Sequence, residues 1–249
     1  MTEHNRMPGF ALQHGGFHGS WCWERVVPLL EAPAVAIDLP GREGDPATLR
    51  GITSAEWTRG ALGQINTLPT DRVVLVAHSL GGVTALNAAK VLGDRLAHLI
   101  LVSALVPAEG QTPAELIARG AHRDSLLDET GQFGVPPIEA VRTLLANDVP
   151  DEAEALYARL RREPMGPISE PFTHDGLPAV PTTYVRLTRD NAVPPAMQEQ
   201  MIANLPHESA VTEIDAGHNV MMSRPGQLAD LLNLVAASGG NRATPTHRG

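Results

Sequence analysis

Along most of the chain, short apolar runs alternate with longer stretches of helical period, which predicts βαβ units around a mostly parallel sheet. "GFALQ" (9–13) reads as the first strand, followed by a helix over "SWCWERVVPLLEA" (20–32) with Ser20 as a candidate N-cap. "AVAIDLP" (34–40) predicts a strand ending in a turn, and "TSAEWTRGALGQINTL" (53–68) a helix with a Ser/Thr start. "RVVLVA" (72–77) is a β-branched run of the kind found in buried parallel strands. "LGGVTALNAAKVLG" (80–93) predicts a helix closed by Gly93, and "LAHLILVSAL" (96–105) the next strand.

The rhythm then changes. Between residues 107 and 181 no convincing strand pattern occurs, only helical segments such as "PAELIARG", "IEAVRTLLAND" and "PDEAEALYARLRREP" joined by Pro- and Gly-rich links. Such a stretch inside an alternating fold predicts an inserted helical cap. Alternation resumes with "TTYVRLT" (182–188), "AMQEQMIANL", "SAVTEID" (209–215) and a last helix over 224–238. The expected organisation is an α/β core over 1–106 and 182–238, a cap over 107–181 and a disordered tail over 239–249. The sheet is expected to be six-stranded and doubly wound.

At 249 residues and 43% hydrophobic composition, the chain suits one such core with one insertion. The net charge of −9 and the absence of a basic run argue against nucleic acid and against an anionic membrane surface. No apolar run reaches membrane-spanning length, and "MTEHNRMPG" lacks the apolar core of a secretory signal. The single cysteine, Cys22, excludes an intrachain disulfide and fits a reducing, cytoplasmic setting. Between two tryptophans it reads as a buried hydrophobe rather than a nucleophile. Oligomeric state stays open, a homodimer included.

The chemistry centres on "VLVAHSLGG" (74–82), which runs a predicted strand through Ser79 into a predicted helix. This is the context of a nucleophile elbow, with Ala77 where Gly-x-Ser-x-Gly has its first glycine. In an elbow the residues two before and two after the serine are expected to pass close together, so both should be small. The competing account is a serine that caps the following helix. A serine hydroxyl needs a base, and His218 in "EIDAGHNVMMSRP" follows the last strand in a loop. His4, His122 and His247 stand in poorer contexts, and His78 is expected to face the other way around the elbow. Asp190, after the penultimate strand, is the best partner for the imidazole, ahead of Asp215 and Asp175. An oxyanion hole needs two backbone N–H groups: one from Leu80, one from the glycine-rich "HGGFHGSW" (14–21). No Gly-Lys-Ser/Thr follows that loop, so it is not a P-loop, and no metal-ligand spacing is present; no cofactor or metal is expected.

With these residues assembled, the chain resembles the α/β-hydrolase superfamily and, more narrowly, the plant methylesterase and hydroxynitrile lyase group with its bacterial esterase relatives. "HGGFHGSWCWERVVPLLE", "AIDLPG", "VLVAHSLGG", "LVSALVPAEG", the stretch from "VPDEAEALYARL", "YVRLTRDNAVPPAMQEQM" and "DAGHNVMMSRPGQLADLL" stand in that group's order, from about Gly9 to Ala237. The resemblance implies Ser79, Asp190 and His218 as a catalytic triad, and Gly16 as the second oxyanion donor. It implies a pocket lined by Phe17, His18, Leu105 and cap residues. It implies that Trp21 and Trp23 pack the first helix against the sheet. S-selective cyanohydrin lyases of the group carry Thr in place of Gly15 and Lys after the catalytic histidine, where this chain has Asn219; typical esterases carry Met there. A neutral amide cannot stabilise departing cyanide, so cyanohydrin cleavage is disfavoured, although Asn219 could still contact substrate. The expectation is a serine hydrolase acting on a small carboxylic ester. Elimination by the same triad, or a non-catalytic ligand receptor on this scaffold, are the alternatives.

Overall fold

The computed structural model describes residues 7–42, 49, 51–119 and 134–239. Its centre is a six-stranded sheet of β1 (Gly9–Gln13), β2 (Ala34–Ile37), β3 (Val73–His78), β4 (Leu96–Val102), β5 (Thr182–Leu187) and β6 (Ala210–Ile214). The order is β2-β1-β3-β4-β5-β6, and every pairing is parallel. From β1 the chain winds outward to β2, and from β3 it winds the opposite way through β4, β5 and β6. The winding therefore reverses between β1 and β3, and a crevice opens beyond their carboxyl ends.

Side-chain alternation splits the core between the two faces of the sheet. Phe10, Leu12, Val74, Val76, Ile100 and Val102 pack on one face with Trp23, Leu228 and Leu232. Ala11, Leu75, Ala77, Leu99 and Leu101 pack on the other with Trp57, Ala61, Val83 and Leu86. β3 is buried along its whole length, which explains its β-branched composition. Helix α1 (Ser54–Ile65) begins with a capping box in which Thr53 and Glu56 bond each other's backbone N–H. Helix α2 (Gly81–Leu92) follows β3 and ends at Gly93, whose φ of 52° no ordinary side chain favours.

The expected helix over 20–32 is instead two 3-10 turns, Ser20–Trp23 and Val27–Leu29. Pro28 lacks an N–H and disfavours helical geometry at Val27, so the helical period cannot propagate. Ser20 caps nothing; its N–H and hydroxyl both donate to the Asp38 carboxylate, at 2.7 and 2.6 Å. Trp23 and Cys22 are buried against the sheet, whereas Trp21 is only partly covered. Burial pushes the Cys22 thiol pKa far up, as suits an inert core residue.

Between β4 and β5 the described residues form helices and loops but no strand ladder. They include α3 (Pro113–Arg119), α4 (Ile138–Ala140, continued by a π turn over Val141–Leu145), α5 (Ala153–Arg159) and α6 (Met165–Ser169). The short α6 has no counterpart in the sequence reading; Pro167 and Gly166 disguise its period. Leu116, Val141, Leu145 and Leu156 join the core on the α1/α2 face. The chain closes with α7 (Pro195–Ala203), α8 (Val220–Ser223) and α9 (Pro225–Gly239). Thus α9 includes the first residue of the stretch expected to be a tail, and the remainder, 240–249, lies outside the described residues. No helix among the described residues is long and apolar enough to cross a membrane.

Candidate active site

Ser79 leaves the carboxyl end of β3 with φ 50°, a left-handed conformation that is costly for a serine. Three backbone bonds hold it there. Its N–H donates to Val102 O at 3.2 Å, and its carbonyl accepts from Gly82 N at 3.0 Å and Leu105 N at 2.8 Å. A plain strand-to-helix corner would need no such strain. The helix side of the turn has little room for side chains. A Cβ on Gly81 would sit 2.3 Å from the His14 carbonyl and 2.9 Å from Gln13, both at the end of β1. A Cβ on Gly82 would sit 2.4 Å from the Leu105 carbonyl. Crowding on the helix side of the turn thus comes from the loops after β1 and β4. Ala77 simply buries its methyl in the core on the α1/α2 face.

Asp190 follows β5 and His218 follows β6, and the two meet with Nδ1 2.8 Å from Asp190 Oδ2. A carboxylate only accepts, so Nδ1 carries the hydrogen, and in the neutral ring that tautomer leaves the lone pair on Nε2. The other Asp190 oxygen, Oδ1, accepts the N–H groups of Ala192 and Val193, each at 2.8 Å. Helix α7 starts at Pro195 without a side-chain cap, so Asp190 does not serve it. Asp215 lies beyond β6, exposed and bonded to Arg189 and Thr188, and Asp175 is also exposed. Ser79 and His218 line one cavity, with no hydrogen bond joining Oγ to Nε2 in this geometry. In unliganded sites that bond is often long and tightens when substrate is present.

His78 does not simply face away. It is buried beneath His218, donating from Nε2 to the His218 carbonyl at 2.9 Å, with ring centroids 4.5 Å apart. Ser103 is a residue the sequence reading missed: its hydroxyl donates to Asp190 Oδ2 at 2.6 Å from the end of β4, at φ 42°. A serine just past a central strand, one strand over from the candidate acid, was the available signal.

The loop after β1 is fixed peptide by peptide. His14 Nδ1 donates to the Gly15 carbonyl at 2.8 Å, and His18 Nδ1 to the Gly16 carbonyl at 2.7 Å. The Phe17 N–H donates to the buried Glu163 carboxylate, and the Phe17 carbonyl accepts from Arg161 N at 2.8 Å. Phe17 itself sits at φ 64°. Arg42 Nη2 lies 2.7 Å from Glu163 Oε1, and Arg42 Nη1 lies 3.1 Å from both ring nitrogens of His14. Burial pushes the Glu163 carboxyl up to about 7, against the pull of Arg42 and the Phe17 N–H. Gly15 has no room for a side chain, since a Cβ would lie 2.8 Å from His78 Nδ1 and 2.9 Å from Ser79 Cβ. The Gly16 and Leu80 N–H groups make no hydrogen bond to the described protein, and both residues line the cavity.

That cavity has a volume of about 190 Å³. Phe17 and Leu105 line it as expected, joined by Leu116, Leu144, Leu145, Val193 and Met197, with Asn191 as a further polar contributor. His18 and Asn219 do not line it. His18 is turned beneath the loop by its bond to Gly16 and stacks on Trp21 at 5.3 Å, and burial lowers its pKa to about 3. Asn219 is fully buried. Among the described residues no group of three or more His, Cys, Asp or Glu could hold a metal ion.

Comparison with known proteins bears on the family and the fold. The sequence pattern of the alpha/beta hydrolase family matches residues 11–231. Methylesterase 7 of Arabidopsis thaliana is 30% identical over 259 residues, covering 94% of this chain and 98% of that protein. Putative methylesterase 11, chloroplastic, of the same plant is 27% identical over 91% of this chain, which spans 63% of that longer protein. Among solved structures, a pyrethroid hydrolase from Sphingobium faniae JZ-2 superposes with TM-score 0.78 at 26% identity, covering 93% of this chain and 98% of that one.

Proposed function

This chain belongs to the alpha/beta hydrolase family, within the plant methylesterase group, and from that premise we propose that it is a serine hydrolase cleaving a small, neutral carboxylic ester through an acyl-enzyme on Ser79. The observation that carries the reading is a strained Ser79 on the same cavity as His218, whose other ring nitrogen is bonded to Asp190. Ser79 Oγ attacks the ester carbonyl while His218 Nε2 takes its proton. Asp190 holds the ring in the required tautomer and balances the imidazolium. The carbonyl oxygen becomes an oxyanion and accepts the Gly16 and Leu80 N–H groups. The tetrahedral adduct collapses, the alcohol departs with the proton from His218, and the acyl group stays on Ser79. Water then attacks, giving its proton to His218; the acid leaves and Ser79 regains its hydrogen.

The cavity favours an uncharged substrate, because apart from Ser79, His218 and Asn191 its described side chains are apolar. The helical segment between β4 and β5 serves as a cap that shapes the acyl and alcohol sites, as its contributions from Leu116, Ala140 and Leu145 suggest. Ser79→Ala and His218→Ala should each lower p-nitrophenyl acetate turnover by about 10³-fold or more, and a fluorophosphonate should label wild type at Ser79 only. Wild-type turnover in Ser79→Ala would remove the proposal.

A further inference from the structure

The proposed oxyanion donor Gly16 lies between two peptides that nothing in its own side chain can hold. A glycine turns freely about both backbone bonds, so its N–H is aimed only if the peptides on either side are fixed. The Gly15–Gly16 peptide carries that N–H, and its carbonyl is tied to His14, on whose ring Arg42 rests. The Gly16–Phe17 peptide is tied at one end by His18 and at the other by Glu163, which Arg42 also meets. Arg42 enters from the loop after β2, and Glu163 comes from the stretch between α5 and α6. Arg42 and Glu163 side chains are 6% and 1% exposed, so neither is a surface charge that happens to pair. A buried ion pair adds little net stability, because desolvation offsets its attraction. Its place around a glycine, which has no side chain to hold its own backbone, assigns it another task.

We propose that Glu163 and Arg42 are positioning residues for the oxyanion site, a buried clamp that fixes both peptides flanking Gly16 and so sets the direction of its N–H. The inference rests on the ester-hydrolase reading above. Glu163 also occupies the Phe17 N–H, which leaves the Gly16 N–H as the loop's free donor at the cavity. The clamp touches no substrate, so its loss should weaken stabilisation of the tetrahedral adduct while leaving ground-state binding alone.

The test compares two double variants that both remove the buried charges. Arg42→Met with Glu163→Gln keeps an oxygen acceptor for the Phe17 N–H; Arg42→Met with Glu163→Leu does not. With p-nitrophenyl acetate, the Gln variant is expected to turn over about tenfold faster in kcat than the Leu variant, with KM equal within about threefold. Equal kcat in two variants that melt alike would overturn the proposal. Should either double variant fail to fold, Glu163→Asp alone, whose shorter side chain withdraws the acceptor from the Phe17 N–H while keeping a charge beside Arg42, is assayed below its melting midpoint as a second reading. Its affinity for phenylboronic acid, which forms a tetrahedral adduct on serine, should fall several-fold at unchanged KM; unchanged affinity refutes the clamp. Ser79→Ala separates the two levels. If it keeps wild-type turnover, the hydrolase reading fails; if it is inactive while the Glu163 variants match wild type, only the clamp fails.

Discussion

Ser103 and His218 converge on the same atom, Oδ2 of Asp190, at 2.6 and 2.8 Å. The carboxylate is therefore fully occupied, its other oxygen taken by two backbone N–H groups. Such a carboxylate cannot rotate without breaking several bonds at once, which holds the imidazole plane. Ser103→Ala removes one of these bonds and should lower kcat/KM by about three- to tenfold, with little change in KM. Asp190→Asn should be far worse, near the 10⁴-fold loss known for the serine-protease template, because an amide can support the wrong ring tautomer. Steady-state kinetics of the two variants checks the ranking; equal losses would contradict it.

The two flanks of the elbow should respond in opposite ways. Gly81→Ala pushes a methyl into the His14 carbonyl and should destabilise the protein by about 2 kcal/mol or more, with loss of activity. Ala77→Gly restores the common motif yet removes a buried methyl from a central strand. It should cost about 1 kcal/mol of stability and leave turnover within about twofold. Urea unfolding together with p-nitrophenyl acetate kinetics distinguishes them.

Acid should destabilise the fold well above the carboxylate range. Burial lowers the pKa of His14 and His78 well below 6.5, that of His18 to about 3 and that of His98 to about 4. The unfolded chain binds protons near 6.5, the native chain only far lower. Between those values the unfolded state holds more protons, so stability falls as pH drops from about 6.5 towards 4. Glu163, raised to about 7, has the opposite sign: its contribution is present at low pH and lost as pH rises through 7. One carboxyl opposes four imidazoles, so the net slope is set by the histidines. Urea-derived stabilities at pH 7, 6 and 5 should decline, and His98→Gln should reduce the slope by at most one proton. A flat profile over that range would contradict the assignment.

Cavity shape should set acyl preference. Ala140 lines the cavity from α4, and Ala140→Phe should narrow it. Hydrolysis of p-nitrophenyl octanoate should then fall about tenfold or more relative to p-nitrophenyl acetate, whose kcat/KM should stay within about threefold. Parallel losses for both esters would place the acyl chain elsewhere.

Periodicity made the parallel sheet readable, since β-branched runs such as Val73–His78 fit little besides a doubly covered strand. The proposed nucleophile and its proposed partners were readable because each stands in the loop or turn that follows a strand. What the sequence hid was contact across chain distance. Ser103, Arg42 and Glu163 carry no local signature, and their importance appears only when loops from four strands and the intervening helical segment meet. His18 and Asn219 sit beside residues of the site, and neighbours in sequence need not point the same way: a bond to Gly16 turns one away from the cavity, and the other is fully buried outside its lining. The 20–32 stretch misled for a different reason, because its apolar spacing was helical but Pro28 interrupted it.

The Arg42–Glu163 pair joins a loop of the core to the helical segment between β4 and β5. That segment also lines the cavity, through Leu116, Ala140 and Leu145, so exchanging it between homologues is a route to new substrates. Here a transplanted segment without an acid at position 163 would strand a guanidinium in a dry interior and slacken the turn beside it. Any chimera of this enzyme should therefore carry the arginine and the glutamate across as a single unit.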